Sequence, residues 1–140
     1  MKLSNEIKHK VTIENELGEK VDFVIDASDM VQLARIGNIF EKYNEMSNLQ
    51  LDESDDFEVM LASINKVADK LVELNKTLDL AFGKDITEKA FMGSSSLLMY
   101  NDFFSQLAKE LEVAGVKVNN YIKKVRKETL VNDHKQSDTI

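Results

Sequence analysis

Two histidines, a run of acids, three adjacent serines and a basic cluster are the residues whose types could do chemistry. His9 falls on the apolar side of an alternating stretch and His134 lies near the end of the chain. Neither has a second histidine at the spacing of metal ligands, so no zinc site is expected. A lone histidine on an apolar face reads as a core or edge residue. There is no cysteine, which removes disulfides, thiolate ligands and cysteine nucleophiles. Ser94, Ser95 and Ser96 stand at a helix start with no base to activate them, and read as caps. Gly83 and Gly93 have nine residues between them and no GK[ST] nearby, so they do not make a phosphate loop. No catalytic residue, metal or cofactor is expected, and the chain reads as a non-enzyme.

Charge is unevenly placed. Residues 43 to 65 hold six acids and no base: Glu45, Asp52, Glu53, Asp55, Asp56 and Glu58. A calcium loop begun at Asp52 would put Phe57 where the turn glycine belongs and Ser63 where the bidentate glutamate belongs, so that reading fails. The dense stretch LDESDDFE then caps the next helix or, alternatively, forms an acidic docking patch. Lys117, Lys123, Lys124, Arg126 and Lys127 make an electrostatic patch uninterrupted by acids. Three readings are open for it: cations complementing a helix C-terminus, a site for an acidic protein, or a phosphate contact. Basic and acidic patches in one chain also suit head-to-tail self-association. The net charge of −7 and pI of about 4.9 argue against nucleic acid as the main partner.

The elements that must position these groups are mainly helical. Ile7, His9, Val11 and Ile13 alternate with polar residues, and Val21, Phe23 and Ile25 do so again. Period two with β-branched residues predicts a hairpin over 7–25. With Glu16-Leu17-Gly18 as its loop, Ile13 faces Val21, Val11 faces Phe23 and His9 faces Ile25. A loop one residue longer would set Ile13 opposite Lys20, so the shorter one is expected, with Gly18 in the left-handed region. The hairpin packs on the helices or offers an edge, next to Val24, to a partner strand.

Asp26 to Asp29 supply caps for a helix over 29–47, with Met30, Leu33, Ile36, Phe40 and Tyr43 as its stripe, widened by Ile39 and Met46. Gly37 weakens that helix by about 1 kcal/mol relative to alanine. A long helix follows over 56–82. Phe57, Leu61, Ile64, Ala68, Leu71, Leu78 and Phe82 form one face, broken only by Asn75, a register-setting or rim residue. Met60, Val67, Leu74 and Ala81 lie beside them at steps of seven. Gly83 ends this helix, Asp85 and Thr87 cap a short one over 86–92, and Gly93 ends that. The last helix covers 95–130, with Gly115 marking a bend or a split, and 131–140 read as a disordered polar tail. The expected fold is mainly α with minor β: one domain over 1–130, a hairpin followed by three to four helices. No apolar run is long enough to span a membrane, and MKLSNEIKHK has no signal-peptide core.

The middle of the chain carries a resemblance. Leu78, Phe82-Gly83, the short segment Ile86 to Phe91, Gly93 and then Phe103-Phe104-x-x-Leu107 resemble the tail assembly chaperones of long-tailed bacteriophages and prophages, over roughly residues 57 to 111. The resemblance implies a non-enzymatic protein of the host bacterial cytoplasm. It would hold the tape measure protein, the major tail protein, or both, during tail assembly, and be absent from the mature virion. It implies partner-binding roles for Phe82, Gly83, Phe91, Met92, Gly93, Phe103 and Phe104, unless the rings fill the core. A homo-oligomer is compatible with it, as is a longer form made by translational frameshift. The alternatives are a structural or scaffold-like phage protein that self-assembles, and a small nucleic-acid-associated regulator.

Overall fold

The computed structural model describes residues 7–49, 51 and 53–138, with side chains as far as Lys127. A two-stranded antiparallel hairpin, β1 (Lys8–Glu14) and β2 (Lys20–Asp26), leads into four helices: α1 (Met30–Asn48), α2 (Phe57–Phe82), α3 (Ile86–Phe91) and α4 (Leu97–Asp138). The fold is mainly α with minor β.

The hairpin has the expected register, with Ile13 opposite Val21, Val11 opposite Phe23 and His9 opposite Ile25. Gly18 makes the turn at φ 80°, a conformation glycine adopts without strain. Asn15 organises the loop, its Oδ1 accepting from the Leu17 and Glu19 amides. Its Nδ2 donates to the Lys89 carbonyl and ties the turn to α3. Val11, Val21, Phe23 and Ile25 are buried, so the apolar face packs on the helices as a two-stranded sheet requires.

Helices α1 and α2 are antiparallel. Gln32 meets the Ala81 carbonyl, Arg35 the Leu80 carbonyl, Lys42 meets Glu73, and Glu45 meets Lys70. Asp29 caps α1 by accepting from the Gln32 amide. Ile36, Ile39 and Met46 are buried and Leu33, Phe40 and Tyr43 pack partly buried against the core. Met30, expected in this stripe, is instead 50% exposed, because it is the first residue of α1, ahead of Gln32, which meets the last turn of α2. Gln32 also serves the hairpin. Its Oε1 accepts from the Asp26 amide at 2.7 Å and its Nε2 donates to the Val24 carbonyl at 2.7 Å, in the place a third strand would take.

The stretch after α2 is an elbow. Gly83 ends the helix at φ 126°, where a side chain would be strained. Asp85 occupies the N-cap position of α3 in the left-handed region, but its side chain makes no cap bond. Asp79, from the last turns of α2, does that work instead. Its carboxylate accepts from the Thr87 amide at 3.0 Å and from the Thr87 hydroxyl at 3.1 Å. Helix α3 stops at Met92 (φ 54°) followed by Gly93 (φ 77°), two successive left-handed residues. Among the three serines, Ser96 caps α4, its Oγ accepting from the Met99 amide at 3.4 Å.

Helix α4 runs through Gly115 as one 42-residue helix. It reaches Asp138, so the polar tail expected from residue 131 is helical to that point, while 139–140 lie outside the described residues. The reason is local: no glycine or proline follows Gly115 to stop it. Tyr100 buckles α4 to α2, its hydroxyl donating to Asn75 Oδ1 at 2.6 Å, and burial pushes that phenol's pKa up. The Tyr43 hydroxyl donates to Asn101 on the α1 side. Farther along, His9 Nε2 and Glu110 Oε2 stand 2.6 Å apart, and Lys117 donates to the Lys8 carbonyl. His9 is therefore an edge residue that ties the hairpin to α4.

Candidate protein-binding surface

The phenylalanines singled out in the middle of the chain face inward. Phe91 stacks on Tyr100 with centroids 3.9 Å apart and meets Phe103 edge-on at 5.1 Å. Phe103 continues to Phe104, and Phe104 stacks on Tyr43 at 4.1 Å. Phe82 packs on Phe23 at 4.5 Å. Phe91, Phe103 and Phe104 are buried and Phe82 is half-buried. These rings build the core that joins hairpin, elbow and α4, which corrects the expectation that they face a partner. The physical reason is that the elbow needs a large apolar filling where three elements converge. Only Met92, Gly93 and Gly83 of that set are exposed. Met92 and Gly93 line an open 690 Å³ groove between the hairpin turn and α3, with Asn15, Lys20, Glu88 and Lys89. Its charges are mixed in sign, Lys20 and Lys89 standing with Glu19, Asp85 and Glu88.

The apolar surface that does reach solvent lies elsewhere. On α2, Val67, Leu71, Leu74, Leu78 and Ala81 are buried, which is the stripe expected beside the main face, joined by Leu71 and Leu78. The main face is exposed at its start: Phe57 is 63% exposed, Leu61 39% and Ile64 42%, and Ala68 is exposed with them. Steps of four, three and four separate these residues, the spacing of a helix-packing seam. The ion pairs of α1 with α2 explain the exposure. They set the end of α1 level with about Lys66, so the first nine residues or so of α2, roughly two and a half turns, run on past it. No helix of this chain covers the start of the seam among the described residues. Asp56 caps α2 by accepting from the Glu58 amide, and Glu53 and Asp55 precede it, all exposed. Asp52 lies outside the described residues.

Helix α4 has a similarly exposed end. The stripe that packs on the body, through Tyr100, Phe104, Leu107, Leu111 and Ala114, continues at the same spacing through Val118, Tyr121, Ile122 and Val125. Ala114 is buried, Val118 and Tyr121 are half-buried, and Ile122 and Val125 are each 41% exposed. The basic patch lies along this end. Lys117, Lys123, Lys124, Arg126 and Lys127 are all exposed. Four follow Tyr121 closely, while Lys117 is drawn to the hairpin through the Lys8 carbonyl.

Among the described residues no group of three or more His, Cys, Asp or Glu side chains could hold a metal ion, and no helix is long and apolar enough to cross a membrane. The arrangement offers helix-packing surface and charge. No protein-family model, curated protein or solved structure matches the chain.

Proposed function

We propose that this chain is a non-enzymatic tail assembly chaperone of a long-tailed phage or prophage, acting by binding protein in the host cytoplasm. It holds the tape measure protein, the major tail protein, or both, while the tail is built, and stays out of the finished virion. The observation that carries this reading is the seam on α2. Phe57, Leu61, Ile64 and Ala68 present packing-spaced apolar surface with no helix over its start among the described residues. Such a surface receives one face of an amphipathic helix, reading it at steps of three and four residues. A long helical client is made of such faces, and reversible apolar contact suits a partner that must later be displaced. The binding role moves from the elbow phenylalanines to the start of α2, while the elbow keeps its architectural role.

Co-expression with the tape measure protein of the same tail gene cluster tests this. The intact chain should keep that protein soluble and co-purify with it. Leu61→Ser with Ile64→Ser should abolish both effects while leaving the helical circular dichroism unchanged. Recovery of the chain in stoichiometric amounts from purified virions, or a client whose solubility ignores it, would refute the reading.

A further inference from the structure

Each strand of the hairpin has an outer edge, and the two edges differ. The Ala27 amide donates to the Ile7 carbonyl and the Asn15 amide to the Glu19 carbonyl, each at 2.9 Å. In an antiparallel ladder bonded pairs alternate with non-bonded ones, so His9, Val11 and Ile13 turn their backbone groups toward β2. Lys8, Lys10, Thr12 and Glu14 turn theirs outward. The same alternation makes Val24 and Asp26 outward residues of β2, and Gln32 meets both. On β1, Lys117 takes the Lys8 carbonyl at 3.4 Å. The outward groups of Lys10, Thr12 and Glu14 have no hydrogen-bond partner among the described residues, and all three residues are exposed.

Beside this open stretch runs a shallow cleft of about 50 Å³, too small for a ligand of its own. Ile13, Phe91, Met99 and Phe103 make its apolar floor, with Glu14, Asp102 and Gln106 around them and no base among its lining residues. One turn beyond Gln106 on α4 comes Glu110, where it meets His9 of β1. The acids therefore follow the strand from its end back to its start. We propose that β1 accepts, along residues 10–14, an extended segment of another protein that carries Lys or Arg at alternate positions.

The alternation follows from the pleat. The added strand pairs antiparallel, the more stable arrangement. Directly opposed residues share a face, so partner residues opposite Lys10, Thr12 and Glu14 face solvent with them. Those opposite Val11 and Ile13 face the cleft. A Lys or Arg there lays its aliphatic stem on the apolar floor and carries its charge out to Asp102, which is exposed. An acidic side chain in the same place would meet Glu14, Asp102 and Glu110 and be repelled. Main-chain hydrogen bonds give such a contact its affinity, and the alternate side chains give it specificity. Lys117, bonded to the Lys8 carbonyl, sets where the added strand must end. This edge is separate from the α2 seam, and the proposal does not depend on the tail-assembly reading.

Nuclear magnetic resonance titration of the full chain with an end-blocked peptide, threonine-arginine-threonine-arginine-threonine, tests it. Binding should slow hydrogen exchange at the Lys10, Thr12 and Glu14 amides and leave the Asp26 amide, already held by Gln32, unchanged. A peptide of the same composition with its arginines adjacent should bind at least about tenfold more weakly, as should one N-methylated at the central threonine. General attraction of a basic peptide to an acidic chain would not separate these three. Asp102→Lys, at an exposed position of α4, should weaken binding by at least about tenfold. Thr12→Pro removes an outward amide without removing a rung between β1 and β2, and should also weaken it. No binding at millimolar peptide overturns the proposal, as does equal binding of the three peptides or binding that leaves the three amides exchanging as before. So does a free chain in which those amides exchange slowly and speed up on dilution, because a second copy then already holds the edge.

Discussion

Helix α2 carries one apolar seam along its whole length, and its two halves meet opposite fates. In the second half, Leu71 and Leu78 are buried, Phe82 packs on Phe23, and Asn75 accepts from Tyr100. In the first half, Phe57, Leu61 and Ile64 face solvent. Local sequence does not separate them, since both halves are equally apolar and equally periodic. What separates them is the presence of a neighbour. Elbow, hairpin and α4 converge on one half, and α1 stops short of the other. Helical periodicity therefore reports the capacity to pack, while the lengths of neighbouring elements decide where that capacity is used.

The sharpest test of this difference is truncation on each side. Leu74→Ala empties a fully buried position (0% exposed) and should cost about 2–5 kcal/mol in denaturant unfolding. Leu61→Ala, the same change on the same helix, should stay within about 0.5 kcal/mol in the monomer. Equal costs would break the comparison.

A smaller effect probes the elbow that gives the inner half its neighbours. Asp79→Ala removes the acceptor for both Thr87 donors and should cost about 0.5–2 kcal/mol. Asp79→Asn keeps one acceptor oxygen and should recover part of the loss, whereas Asp85→Ala should not reproduce it. Met92 holds a left-handed conformation that favours glycine. Met92→Gly relieves that strain, offset in part by glycine's greater freedom in the unfolded chain, for a net gain of about 0.5–1 kcal/mol.

The smallest effect is electrostatic and sits between the halves. The Lys70 ammonium, and then the Lys42 hydrogen bond, hold the Glu73 carboxyl below its ordinary pKa. A carboxyl lowered in the folded state stabilises above its unfolded pKa, and the stabilisation is lost as pH falls through the lowered folded value. Nuclear magnetic resonance titration should show Glu73 ionising below the usual glutamate range. Lys70→Met should move that midpoint upward with little change in unfolding, because the pair is solvent-exposed.

Features governed by neighbours in the chain were legible in the sequence. Alternation and Gly18 were enough for the hairpin register, and Asp56 and Gly83 for the limits of α2. Features governed by distant residues were not. The apolar face of α2 is wide enough to offer two adjacent stripes, and periodicity could not say which turns inward. The capping of Thr87 by Asp79 spans eight residues and an intervening glycine, beyond any local cap pattern. Ring positions alone do not reveal how many elements converge on Phe91, Phe103 and Phe104, so the sequence leaves both core and partner surface open for them. At the end of α4 polar composition resembles a tail, although no residue there stops the helix.

Gln32 bears on a different hazard. A two-stranded sheet is open to lengthening by any passing strand, the route by which exposed edges seed aggregates. Here the chain spends one side-chain amide, from the first turn of α1, as a blocking rung against Val24 and Asp26. Because that amide also grips the Ala81 carbonyl, the edge stays shut for as long as α1 and α2 stay together. Loosening the helix pair would thus unlock sheet growth at β2, and protection against misassembly is inherited from helix packing rather than built into the strand itself.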